Sequence, residues 1–147
     1  MTLTIRPPRP EDRGAWDALY AGYAAFYRVD QTAGMRDRVW SWLMTGDHGF
    51  GGRVADQAGQ LVGLAHFRAF ARPLSATIGG YLDDLYVDPA ARGSGAAEAL
   101  LRALSEEGRT RGWSVIRWIT AEDNYRARGL YDRLAERTKW VTYDIRL

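Results

Sequence analysis

Arg92, Gly93, Ser94, Gly95, Ala96 and Ala97 stand between a strand-like run that ends at Asp88-Pro89 and a long amphipathic helix pattern. Glycine at 93 and 95 lets the backbone approach a ligand without a Cβ in the way. The first N–H groups of the helix point outward, unpaired, at the positive end of its dipole. That setting suits a pyrophosphate, and Arg92 adds a fixed positive charge beside it. A Walker loop is excluded because no Lys follows the glycines, and the dinucleotide fingerprint fits poorly because Ala97-Glu98 occupies its third glycine position. Taken alone, the segment also reads as a plain glycine turn before a core helix. Downstream, Asn124 and Tyr131 share one face of a second helical pattern. Asn124 is a natural N-cap and Tyr131 falls in the apolar stripe, so each alone also has a structural reading.

Composition removes several other chemistries. The 147-residue chain has no Cys, which excludes disulfides, thiolate metal sites and a Cys nucleophile. His48 and His66 are the only imidazoles and lack metal-ligand spacing, so no metal is expected. Lys139 is the only Lys, which argues against Schiff-base chemistry. A net charge of +2, with Arg residues scattered among acids, argues against nucleic acid as a partner. No apolar run approaches the roughly 20 residues that span a bilayer, so no membrane partner is expected. The N-terminal Met1–Arg6 has no signal-peptide apolar segment, and a cytoplasmic location is the expectation.

The elements that must position these residues follow from periodicity. Thr4–Arg6 reads as a strand stopped by Pro7-Pro8. Pro10 opens a helix to about Arg28, with Trp16, Leu19, Tyr20, Tyr23 and Tyr27 at helical spacing. A second helix is expected over Met35–Met44. Gly52–Ala55 and Leu61–Phe70 read as strands joined by a turn, and Tyr81–Val87 as the next strand. A helix from about Gly93 to Arg111 carries Ala97, Leu100, Leu101 and Leu104 on one side. Val115–Thr120 is expected as a strand, Asn124–Glu136 as a helix and Trp140–Leu147 as a final strand. The order β-α-α-β-β-β-α-β-α-β predicts an α/β fold: a mixed central sheet with helices on both faces, in one domain over residues 1–147.

Together the two segments resemble the Gcn5-related N-acetyltransferase (GNAT) family. Arg92-Gly93-Ser94-Gly95-Ala96-Ala97 resembles its Arg/Gln-x-x-Gly-x-Gly/Ala signature. Asn124, Ala127, Leu130 and Tyr131 resemble its Asn-x-x-Ala-x-x-Leu-Tyr helix. The element order is similar as well, so the likeness covers nearly the whole chain. Tyr81–Val87 and Leu130–Arg137 look most like the branch acting on polyamines, thialysine and other small free amines, including Hpa2/Hpa3-like enzymes.

The resemblance implies acetyl transfer from acetyl-CoA to the primary amine of a small molecule by direct attack. It assigns the backbone of Leu85, Tyr86 and Val87 to the pantetheine arm and thioester carbonyl, and Arg92–Ala97 to the pyrophosphate. It gives Asn124, with Ala127 beside it, to the pantetheine chain, and makes Tyr131 the proton donor to the departing sulfur. Asp83 and Asp84 are the candidate base. Alternation along a strand lets only one of them face the amine, and Asp83 is favoured. The acceptor pocket of this fold is roofed by the first two helices, where Tyr23 and Tyr27 would hold an ammonium by cation–π contact. Arg28 has the wrong charge for a polycation and suits an amine that also carries a carboxylate. A protein or peptide acetyltransferase and a non-catalytic acyl-CoA-binding module are the alternatives. An edge formed by the final strand would support a homodimer.

Overall fold

Trp16, Leu19, Tyr20 and Ala24 recur at helical spacing, and all four are buried, which accounts for α1 over Arg13–Phe26. A 3₁₀ turn at Pro10–Asp12 leads into it. The computed structural model describes residues 2–147. α2 covers Ala33–Thr45: the Thr32 hydroxyl accepts the Met35 N–H at 3.1 Å to cap its start, and Gly46 in the left-handed region ends it. Trp40 of α2 lies 5.0 Å from Trp16, ring centre to ring centre.

The strands are β1 (Leu3–Arg6), β2 (Phe50–Gln57), β3 (Gln60–Arg72), β4 (Thr77–Val87) and β5 (Ile116–Arg117), in the spatial order β1-β2-β3-β4-β5. All pairs are antiparallel except β4–β5, which is parallel. α3 (Ala96–Arg111) packs Leu100, Leu101 and Leu104 on one face of the sheet, against Val62, Ala65, Phe67 and Leu82. α1 and α2 cover the other face, against Val54, Leu61 and Leu64. α4 (Tyr125–Leu134) follows β5 and has no fully buried residue. The α/β architecture with helices on both faces is therefore as expected from the sequence. Among the described residues no helix is long and apolar enough to cross a membrane.

Two sequence expectations need correction. β5 pairs only Ile116 and Arg117 with Gly80 and Tyr81, and residues 118–120 leave the ladder. The Trp113 ring lies where a Cβ at Gly80 would be, 2.3 Å away, so the glycine permits this parallel start. Beyond Tyr81 the two strands splay, and β4 continues to Val87 paired with β3 alone. The final strand over Trp140–Leu147 does not form either. These residues are exposed and belong to no ladder, because no strand of the same chain lies beside them.

The first strand is tied down by charge. Arg6 donates to both oxygens of Asp12 at 2.7 and 3.0 Å, and to Asp56 at 3.2 and 3.3 Å. Asp12 also accepts the Arg9 N–H at 2.7 Å. The bonds from Arg6 hold the Asp12 carboxyl below its ordinary range, and those from Asp12 and Asp56 raise the guanidinium.

Candidate active site

The splay between β4 and β5 opens a cleft of about 590 Å³. Its walls are the end of α1, the last residues of β4, the loop into α3, and α4. Of the sequence-predicted residues, Tyr23, Tyr27, Leu85, Tyr86, Val87, Arg92–Ala97, Asn124, Ala127 and Tyr131 all line it. Peptide groups along the free side of β4 lack a neighbouring strand there, so this edge can take hydrogen bonds from an extended ligand.

Gly93 and Gly95 have φ of +84° and +83°, in the left-handed region that favours glycine. Helix α3 therefore starts at Ala96 rather than at Gly93. Ala96 donates its N–H to the Ser94 hydroxyl at 3.3 Å. The next N–H groups of α3 open into the cleft beside Arg92, a polar cradle fit for a pyrophosphate. Asn124 stands at the N-cap of α4, yet its side chain makes no capping bond and instead donates to the Thr120 hydroxyl at 3.3 Å. The capping role is thereby absent, and the amide remains in the cleft wall.

Tyr131 faces the cleft from α4, with its ring 5.3 Å from that of Trp118. Burial, and secondarily the Tyr27 phenol, pushes its pKa up to about 12. The phenol is therefore protonated across the neutral range and is a proton donor there.

Asp83 and Asp84 do not line the cleft itself but sit further back along β4, behind Tyr23. Here the alternation argument fails. In the β3–β4 ladder His66 pairs with Asp84 and Phe67 with Leu82, so Asp83 is an extra residue in a β-bulge. Both carboxylates consequently reach side chains on the same face of β3. Asp84 bonds His66 at 2.8 Å, and Asp83 accepts from Arg68 Nε at 3.1 and 3.3 Å. Arg68 also lies 4.7 Å over the Tyr81 ring.

Asp84 is held by a buried chain of bonds. The Trp16 indole N–H donates to His66 Nε2 at 3.0 Å. An indole only donates, so Nε2 is unprotonated and the neutral ring carries its proton on Nδ1. Nδ1–H then donates to Asp84 Oδ2, which also accepts from the Tyr20 hydroxyl at 2.8 Å. Burial and the Asp84 charge push the Tyr20 and Tyr23 phenols upward. Asp83 is different: desolvation raises its carboxyl, the Arg68 charge opposes this, and the Asp84 charge adds to it. Sequence reasoning missed His66 and Trp16 as members of this site. The available signal was polar atoms, an indole N–H and an imidazole, at positions patterned for burial, where each needs a partner.

The acetyltransferase (GNAT) family model matches residues 16–135. The chain is 24% identical over 143 residues to the D-amino-acid N-acetyltransferase HPA3 of Saccharomyces cerevisiae, covering 96% of this chain and 89% of that one. Among solved structures, a ribosomal-protein-alanine N-acetyltransferase from Brucella melitensis biovar Abortus 2308 superposes with a TM-score of 0.84 at 26% identity, over 100% of both chains. An aminoglycoside acetyltransferase from an uncultured soil metagenomic sample gives 0.78 at 25% identity, over 100% of this chain and 99% of that one. The acceptors named for these proteins are an amino acid, a protein and an aminoglycoside.

Proposed function

From a chain that belongs to the acetyltransferase (GNAT) family and is an N-acetyltransferase, we infer that the acceptor is a small primary amine that also carries a carboxylate, an amino acid in the simplest case. The observation that carries this reading is the pair Asp83 and Asp84 on one face of β4, opposite the α1 tyrosines and beside Arg68. Two carboxylates and an aromatic wall recognise an ammonium. Arg68, and Arg28 next to the cleft residue Tyr27, supply cations for a carboxylate. The yeast relative's named substrate class agrees with this choice.

Acetyl-CoA is the acyl donor of the family, and the cleft fits it. Arg92 and the α3 N-terminus hold the pyrophosphate, Asn124 and the free edge of Leu85–Val87 hold the pantetheine arm, and Ala127 leaves room beside it. The amine attacks while neutral, although a free alkyl amine has a pKa near 10. Asp83 takes its proton through a water, because desolvation raises its carboxyl and Asp84 Oδ2 is already occupied by His66 and Tyr20. As the new C–N bond forms and the C–S bond breaks, Tyr131 donates its phenolic proton to the sulfur. A nearby carboxylate stabilises the ammonium rather than the amine. The role of Asp84 is therefore to bind the cation, and that of Asp83 is to remove its proton.

The direction of the Asp83 shift gives a pH prediction. The base works only when ionised, so turnover falls as pH drops through the Asp83 pKa. Arg68 opposes the rise in that pKa, so Arg68→Met moves the acid limb of kcat to higher pH. An acid limb unmoved by Arg68→Met assigns proton removal to another group.

The test of the reaction is free-thiol release from acetyl-CoA with D- and L-amino acids, polyamines, thialysine analogues and a basic peptide. Turnover with the amino acids above the rest is the expected result. Preference for the peptide favours protein acetylation, and tight CoA binding without turnover on any amine favours an acyl-CoA sensor.

A further inference from the structure

The hydrogen-bonded chain of Trp16, His66, Asp84 and Tyr20 differs from one end to the other. Trp16 and His66 are each 1% exposed, while the Asp84 side chain keeps 17%. The chain is therefore sealed at the indole and opens at the carboxylate. His66 Nδ1 and the Tyr20 hydroxyl both donate to Asp84 Oδ2, and Oδ1 takes neither bond. Two neutral donors cancel no charge, so all of the chain's charge sits on Asp84. The neighbouring Asp83 is paired with Arg68.

The His66 ring is packed by three aromatic rings. Trp16, Tyr20 and Phe50 lie 5.8, 4.7 and 5.3 Å from it, centre to centre, and Trp40 backs Trp16. A second proton on His66 would go to Nε2, which faces the Trp16 N–H at 3.0 Å. Two donors would then point at each other in a dry site, with no acceptor for either. The charged and titratable groups around the ring are Asp84 and Asp83 from β4, Arg68 from β3 and Tyr20 from α1. β2 brings Gly52 and Phe50 to it, which do not titrate, and His48, just before β2, lies against Trp42 instead. The carboxylates favour a second proton on the ring, and the indole N–H occupies the position it would take.

An imidazolium at this place would pair with Asp84 and cancel the charge that an ammonium needs. We propose that Trp16 and His66 are positioning residues for the acceptor. The indole keeps His66 neutral, and the neutral ring holds Asp84 as an uncompensated carboxylate with Oδ1 free for the ammonium. This rests on the reading of Asp84 as the site of the acceptor's ammonium. The pocket thereby keeps its preference for a cation across the range in which an ordinary imidazole changes charge. Trp16 exerts this effect without touching the acceptor, through one N–H.

The chain has only two His, so a proton–nitrogen correlation spectrum of the imidazole side chains is simple, and His48→Gln assigns it. His66 is expected to be protonated on Nδ1 alone, unchanged from about pH 8 to about pH 5, where an ordinary imidazole titrates. A proton on Nε2 instead, or a second proton gained in that range, overturns the proposal. Trp16→Phe keeps an aromatic ring in the core and removes the N–H. In this variant His66 is expected to take a second proton as pH falls, and KM for the amine to rise with it, a step absent from the wild type. A KM that follows the wild-type profile overturns the role of Trp16. His66→Leu offers Asp84 no donor and is expected to raise KM for the amine about 10- to 100-fold with kcat little changed, the loss carried by a contact to a charged group. His66→Gln is expected to restore KM, because one planar amide both accepts from Trp16 and donates to Asp84. Equal KM in the Leu and Gln variants overturns the positioning role of His66. Should His66→Leu not fold, the spectrum and Trp16→Phe still decide. The spectrum needs no acceptor, so its failure is distinct from failure of the acceptor reading, which shows as no turnover with any amine.

Discussion

Tyr131→Phe is expected to lower kcat about 10²- to 10⁴-fold, the usual range for loss of a positioned proton donor, with CoA affinity unchanged. The phenyl ring keeps its packing against Trp118 and its place in the cleft wall, so only the proton is lost. Because the interaction matters only as the sulfur departs, kcat and kcat/KM should fall together. The pH dependence is specific. With the phenol pushed up to about 12, it is protonated below that value and lost as a donor only above it. The ratio of wild-type to variant rates should therefore be flat from neutral pH to about 10. CoA affinity that falls in step with an unchanged kcat would reduce Tyr131 to a packing residue.

The second large effect concerns stability. Arg6→Met is expected to cost about 3–5 kcal/mol in urea unfolding, the range for removing one partner of a buried ion pair. Both side chains are largely buried, Arg6 13% and Asp12 9% exposed. Removal strands Asp12 with only the Arg9 N–H, and it frees Asp56 at the β1–β2 pairing. The Asp12 carboxyl is held below its ordinary value. Its contribution is therefore fully present above the unfolded pKa of about 3.9 and is lost as pH falls through the lower folded value. The gap between wild type and Arg6→Met should be widest above about pH 5 and should close in acid. A gap that stays constant down to acid pH would mean that Arg6 acts through its apolar stem alone.

Most of the fold and much of the site can be read from the chain because local periodicity and burial agree. The α3 stripe of Leu100, Leu101 and Leu104 and the α1 stripe of Trp16, Leu19 and Tyr20 both pack as their spacing predicts. The glycine loop and the Asn124–Tyr131 face meet at one cleft for the same reason. What could not be read depends on neighbours. Trp140–Leu147 has the right alternation for a strand, but pairing requires a partner that its own chain does not place beside it. The start of α3 shifts by a turn because Gly93 and Gly95 take positive φ, which residue type permits without demanding. The bulge in β4 left a trace that alternation alone overlooked. Leu82 and Leu85 both face α3, and an odd spacing between two residues on one face of a strand requires an extra residue between them. The bonds from Trp16 through His66 to Asp84 join residues 50 and 18 positions apart, beyond any local pattern.

The position of that extra residue has an evolutionary consequence. Leu82 faces α3 and Asp84 faces α1, so the strand on either side of Asp83 would join in regular alternation if residue 83 were deleted. Every later side chain of β4 would keep its present face. The carboxylate proposed to remove the proton thus occupies the unpaired position of the β3–β4 ladder, the one that the sheet does not need. Such a residue can be gained, lost or exchanged without re-threading the core. Acceptor chemistry can therefore diverge on this scaffold by changes at a single insertion, while the cleft for the acyl donor stays as it is.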